Sequence, residues 1–119
     1  MSGSAKRKQR VAPPAGTGQW EVRFATTEAA KGWEDLCSQA PSNTRRAWEE
    51  MTNSPAPDMP TPRHHQLKGT LSTGQFEGRW HPQWQIEVTG GGRIWYLPDD
   101  DRKTVWIKAA STGHPTSTD

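Results

Sequence analysis

The sequence predicts a small α+β domain in which an antiparallel β-sheet is packed on one face by an N-terminal helix pair. Three observations predict it: an alternating apolar stretch near the start, two helical apolar stripes after it, and three more alternating stretches. The predicted order is therefore β-α-α-β-β-β. A chain of 119 residues has room for one such domain. Short turn-like connections between the last three stretches indicate an antiparallel meander.

The first strand is predicted over residues 19–25, where apolar and charged side chains alternate. A helix is predicted over residues 27–40, because a threonine can cap it and its apolar residues share one stripe. Pro41 ends that helix, and a second helix is predicted over residues 42–53. The short break between the two helices indicates that they run antiparallel.

Three strands are predicted to finish the domain, over residues 83–89, 93–97 and 104–109. Gly90-Gly91-Gly92 supplies the first turn. The run Asp99-Asp100-Asp101 is assigned to the second turn, where aspartate side chains hydrogen-bond locally, rather than to a metal site. The predicted core between sheet and helices contains Trp33, Leu36, Trp48, Ile86, Ile94 and Ile107.

Two segments are predicted to lack regular structure. Residues 1–18 are rich in basic residues, glycine and proline and have almost nothing to bury, which is typical of a disordered basic tail. Residues 54–63 contain four prolines and are predicted to be a stiff connector. The domain itself is assigned to residues 19–119. The first ten residues carry four positive charges, which leaves −2 on the other 109 of a chain whose net charge is +2.

Several function classes are excluded by what the sequence lacks. It contains no phosphate-binding loop, no nucleophile elbow and no dinucleotide fingerprint. A single cysteine, Cys37, excludes a disulfide framework and a cysteine-rich zinc site, and the cytoplasm is the expected compartment. No apolar run is long enough to cross a membrane. The histidines lack the spacing of a metal site, so neither a metal nor another cofactor is expected.

Cationic and polar side chains concentrate in the C-terminal half of the chain. A sheet face that carries arginine, glutamine, lysine and tryptophan suits a phosphate backbone. Cleavage of a phosphodiester needs a base, a cation and an acid, and histidine, lysine and arginine can supply all three without metal. An ordinary solvated sheet face would carry similar residues. The candidates are Arg63, His64, His65, Lys68, Arg79, His81, Arg93, Lys108 and His114.

Four segments carry a family resemblance: Leu67-Lys68-Gly69, residues 83–89 (QWQIEVT), residues 91–96 (GGRIWY), and the ending from Val105-Trp106-Ile107 to residues 112–115 (TGHP). In this order they resemble the RelE/ParE toxin superfamily, in an actinobacterial-type branch of RelE-like proteins. The resemblance covers roughly residues 19–119.

The resemblance implies a toxin of a type II toxin–antitoxin module that cleaves messenger RNA in the ribosomal A site without metal. The implied partners are a cognate antitoxin, the ribosome and mRNA. Lys68 and Arg93 match the residues that stabilise the RNA phosphate, and His114 matches a C-terminal acid or base. His65 is a further proton-transfer candidate. Pairing with Glu87 across the hairpin is the structural alternative for Arg93. The candidate RNA-binding residues are Arg63, His64, Arg79 and Lys108.

Two alternative functions stay open because the folded part, at −2, is less basic than ribosome-dependent nucleases of this family usually are. One is a ParE-like poison of DNA gyrase. The other is a catalytically inactive member of the fold that only binds a partner.

Overall fold

The computed structural model describes residues 6–11 and 13–113. Two α-helices, a five-stranded sheet and a two-stranded hairpin make up an α+β domain. A short 3₁₀ helix, Gly69–Leu71, precedes the hairpin. The elements in chain order are β1 (Glu21–Phe24), α1 (Thr27–Gln39), α2 (Pro41–Asn53), β2 (His64–Gln66), β3 (Thr73–Phe76), β4 (Arg79–Pro82), β5 (Trp84–Glu87), β6 (Arg93–Asp99) and β7 (Thr104–Ser111).

The strand order of the large sheet is β1-β7-β6-β5-β2, and β1 runs parallel to β7. All other neighbours are antiparallel, so the prediction of a wholly antiparallel sheet is wrong at this one edge. Parallel neighbours need a long connection, and the chain between β1 and β7 supplies it. Such non-local pairing leaves no periodic signal in the sequence.

The predicted order β-α-α-β-β-β also lacks three strands, namely β2, β3 and β4. β2 is only three residues long and reads His-His-Gln, so it has no apolar alternation to detect. β3 and β4 form a separate hairpin. Its turn has positive φ at Glu77 (51°) and Gly78 (82°), the backbone of a two-residue hairpin turn.

The helix pair lies close to its predicted position. The Thr26 side-chain oxygen accepts a hydrogen bond from the Ala29 N–H at 2.9 Å and caps α1. α2 starts at Pro41 instead of residue 42. Proline is favoured at the first helical position, because its missing N–H would have no partner there. The connector over residues 54–63 contains no helix or strand, as predicted.

The main core lies between the helix pair and one face of the sheet. All six residues predicted to share a core, from Trp33 in α1 to Ile107 in β7, are buried in this one cluster, which confirms that prediction. The chain is poor in aliphatic residues, and Trp33, Trp48 and Trp84 supply much of the buried volume.

The described part of the N-terminal segment pairs with β1. The Val11 N–H donates to the Val22 carbonyl at 2.8 Å, and the Phe24 N–H donates to the Gln9 carbonyl at 3.1 Å. Val11 is only 3% exposed and belongs to the main core. The expectation that this stretch buries almost nothing is therefore wrong at Val11, because the free backbone edge of β1 offers hydrogen bonds to it.

The hairpin covers one end of the second sheet face. Phe76 packs against Trp106, with ring centroids 4.5 Å apart, in a small cluster that also contains Leu97 and Ala25. Lys8 Nζ lies 2.7 Å from Glu77 Oε2 at the hairpin turn, and this hydrogen bond lowers the pKa of Glu77. The N-terminal segment therefore stabilises the position of the hairpin turn.

Gly32 offers a test of the helix–sheet packing, because a Cβ added there would overlap the Ala110 carbonyl oxygen on β7. We expect Gly32→Ala to destabilise the domain by about 1–3 kcal/mol through overpacking. This outcome opposes the higher helix propensity of alanine, worth about 1 kcal/mol. Urea unfolding measures the change.

The matched control is Lys31→Ala, since Lys31 is the exposed neighbour of Gly32 in α1. Its effect is expected to stay within about 0.5 kcal/mol. A Gly32→Ala protein as stable as the control would contradict the close approach of α1 to β7.

Candidate nucleic-acid interface

The second face of the sheet stays uncovered beyond the hairpin, across β2, β5, β6 and β7. Side chains alternate along a strand, and Ile86 and Ile94 point to the helix side, so their neighbours face the other way. We call this surface the open strip. It consists of Arg63, His65, Gln85, Glu87, Arg93, Trp95, Ala109 and Ser111, of which Gln85 is itself buried, at 7% exposure.

One row of the open strip carries two arginines on either side of an acid. Arg63 pairs by its backbone with Glu87, and Glu87 lies opposite Arg93. Arg93 is exposed and forms no ion pair with Glu87 or any other described residue. The guanidinium of Arg63 donates to the Glu87 backbone carbonyl at 2.8 Å, which leaves its charge uncompensated. Both cations are therefore available to an anion.

The next row contains His65, Gln85 and Trp95. His65 is half-buried, and its Nδ1 lies 3.0 Å from the Gln66 carbonyl oxygen. A carbonyl oxygen only accepts, so Nδ1 donates in this bond, and in that tautomer Nε2 is the acceptor nitrogen. His65 is thus suited to act as a base at the surface.

The strip is cationic although the folded part of the chain is not. Glu87 is its one acid, against two arginines and a histidine. The other described carboxylates lie on β1, the helices, the connector, the hairpin turn and the β6–β7 turn. The negative charge that argued against a nucleic-acid surface is therefore placed elsewhere.

His64 does not belong to this surface. A strand turns successive side chains to opposite faces, so His64 points to the helix side and is 8% exposed. Its Nε2 shares a hydrogen bond with the Tyr96 hydroxyl, and its Nδ1 lies 3.3 Å from Glu50 Oε1. Burial lowers the pKa of His64, and the Glu50 carboxylate partly opposes that effect. The burial of His64 argues against its candidate role in RNA binding.

The two lysines among the site candidates, Lys68 and Lys108, lie at the margins of the open strip. Lys68 is exposed beyond the end of β2, and its ammonium has no partner among the described residues. It is five positions further along the strand than Arg63, about 17 Å at the usual rise per residue. Lys68 and Arg93 are therefore too far apart along the strand direction to contact the same phosphate. Lys108 Nζ donates to the Gln75 carbonyl at 3.0 Å and so ties β7 to the hairpin.

Arg79 lies away from the strip, on β4, where its guanidinium is 3.4 Å from Asp101 Oδ2. It lines a separate concavity of about 460 Å³ together with Trp80, His81 and Asp99. The three aspartates of the β6–β7 turn border this concavity, which makes it a poor place for a phosphate. His114 lies outside the described residues.

Two residues of the strip were missed as site candidates, Gln85 and Trp95. Trp95 Nε1–H donates to Gln85 Oε1 at 2.8 Å, which holds the indole in one orientation on the open face. The alternation of β6 already put Trp95 on the side of Arg93. The sequence does not show that the hairpin covers this face at Leu97 and leaves it uncovered at Trp95.

Comparison of the chain with protein-family models, with curated proteins and with solved structures found no match. Within the described residues, no group of three or more histidines, cysteines or acids is placed to hold a metal ion. No described helix combines the length and apolar character needed to span a membrane. Function is therefore inferred from the chemistry of the strip and from the sequence resemblance.

The burial of His64 predicts a pH dependence of stability. Its folded-state pKa lies below its ordinary value of 6.5, so the unfolded chain binds this proton first. We expect the free energy of unfolding to fall as the pH drops below about 6.5, and His64→Gln to flatten that fall. Urea titrations at pH 8, 7, 6 and 5 measure it.

Glu50 from α2 and Tyr96 from β6 contact His64, and His65, next to it in the chain, acts on it only through its charge. His65→Gln is the matched control and should keep the wild-type dependence. Identical pH profiles for wild type and His64→Gln would show that burial does not lower the pKa of His64.

Proposed function

We propose that the protein is a RelE-like toxin of a type II toxin–antitoxin module. In this proposal it is a metal-independent endoribonuclease of the cytoplasm that cleaves ribosome-bound mRNA and so inhibits translation. The observation that carries the proposal is the open strip, where Arg63 and Arg93, neither of them in an ion pair with a described residue, lie in the row next to His65. An RNA strand laid across it would meet cations, a base and an aromatic ring.

Further support comes from the position of the segments on which the resemblance depends. Residues 83–89 contain β5, residues 91–96 enter β6, and residues 105–107 lie in β7. Strands β5, β6 and β7 together line most of the open strip. Helices α1 and α2 pack on the opposite face, in keeping with the helix pair that the resemblance implies.

The proposed reaction is transesterification at a phosphodiester. His65 Nε2 takes the proton of a ribose 2′-hydroxyl, and the 2′-oxygen attacks the adjacent phosphorus. The 5′-oxygen of the next nucleotide leaves with a proton from a general acid, for which His114 is the candidate. The products are a 2′,3′-cyclic phosphate and a 5′-hydroxyl. The Arg93 guanidinium stabilises the charge that develops on the phosphate oxygens.

The geometry of the sheet separates the roles of the two main cations. Arg93 lies two strands from His65 and one row away, within reach of the same nucleotide through its long side chain. Lys68 lies at the far end of the strip, so we assign it to a different phosphate of the bound strand. Its loss should weaken binding without abolishing cleavage.

The proposed partner that controls this activity is a cognate antitoxin. An acidic or amphipathic segment laid over the open strip would neutralise Arg63 and Arg93 and exclude RNA. The helices pack on the opposite face of the sheet, so an antitoxin bound to the open strip would leave the core undisturbed.

Arg93 is the residue whose replacement tests the nuclease most directly. We expect Arg93→Ala to lower codon-phased cleavage of mRNA by about 10²–10³-fold, because an electrostatic contact to the transition state is lost. His65→Ala should lower it by about 10²–10⁴-fold through loss of the base. Mapping of mRNA 5′ ends after brief induction measures both, and chelation should leave wild-type cleavage unchanged.

Arg46→Ala is the matched control, since Arg46 is an exposed arginine on the helix layer. It should cleave like wild type. Wild-type cleavage in both Arg93→Ala and His65→Ala would refute the assigned site. Inhibited DNA supercoiling with intact mRNA would identify a gyrase poison, and undisturbed growth with ample folded protein would identify a partner-binding member without activity.

A further inference from the structure

A narrow depression interrupts the open strip beside Trp95. It has a volume of about 190 Å³ and is lined by Arg93, Trp95, Ala109, Ala110 and Ser111. One wall is the Trp95 indole, held by its hydrogen bond to Gln85. The rest of the lining comes from Ala109, Ala110, Ser111 and the exposed Arg93.

A β-bulge between β6 and β7 creates this space. Arg93 and Trp95 lie opposite Ser111 and Ala109, but Tyr96 lies opposite Ile107, so Lys108 is the extra residue. Without the bulge, Lys108 would stand beside Trp95 and its long side chain would fill the gap. Bulges commonly re-aim side chains at binding sites in this way.

We propose that this depression binds one unpaired nucleobase, stacked on the face of Trp95, with the adjacent phosphate at Arg93. The inference rests on the proposed function and adds a base-binding subsite to it. A flat aromatic wall next to an unpaired cation fits a nucleotide, because every base offers a π-face and every link a negative charge. Small residues on the other side leave room for the ring.

A second tryptophan, Trp80, serves as a control for the half-buried Trp95. Trp80 is 68% exposed on β4, and its nearest concavity is bordered by aspartates. Trp80 therefore offers the same ring without a neighbouring free cation. A stacking role for Trp95 predicts that the two tryptophans behave differently towards RNA.

The test measures binding of a fluorescein-labelled ten-nucleotide adenosine RNA, and of an abasic ribose-phosphate strand of equal length, by anisotropy at several salt concentrations. We expect Trp95→Ala to weaken binding of the adenosine RNA roughly 5- to 150-fold, with an unchanged salt slope. Binding of the abasic strand should not change. Trp80→Ala should bind both strands like wild type, and Trp95→Phe, which keeps a ring, should recover part of the affinity.

Arg93→Ala separates the failure of this subsite from the failure of the proposed function. It should weaken both strands and reduce the salt slope by about 0.7. If Trp95→Ala binds like wild type while Arg93→Ala does not, the subsite is wrong and the cationic strip stands. Equal losses on both strands from Trp95→Ala would also overturn stacking. If neither variant changes binding, the RNA-contacting role of the strip falls as well.

Discussion

The five-stranded sheet has two faces, and the helix pair can cover only one of them. Two helices of 13 residues each bury the apolar side of the strands, with tryptophans in place of missing aliphatic residues. The short β3–β4 hairpin, anchored by Phe76 on Trp106, covers part of the second face. The rest of that face carries mostly polar side chains, among them Arg63 and Arg93.

Contacts within the fold sort the positive side chains into two groups. Arg7 and Lys8 are held by Glu77, Lys108 by a hairpin carbonyl, and Arg79 by Asp101, so they stabilise the hairpin and its surroundings. Arg93 and Lys68 have no such partner among the described residues. A weak average charge thus coexists with a local cationic surface, because the acids lie on other parts of the molecule.

The elements that sequence reasoning predicted are those with long periodic patterns. β1, α1, α2, β5, β6 and β7 all show an apolar repeat in the sequence, and each lies close to its predicted position. β2 has three polar residues and no apolar alternation, so neither the strand nor the burial of His64 could be predicted from the sequence. The parallel edge at β1 and the hairpin over Trp106 depend on distant parts of the chain.

The central claim is that RNA lies on the open strip, and nuclear magnetic resonance tests it residue by residue. Titrating ¹⁵N-labelled protein with single-stranded RNA should shift the backbone signals of His65, Gln85 and Arg93 and the indole N–H of Trp95. Signals of α1 and α2, on the opposite face, should stay in place. Shifts confined to the helix layer or to the β6–β7 turn, with the strip unchanged, would contradict the account.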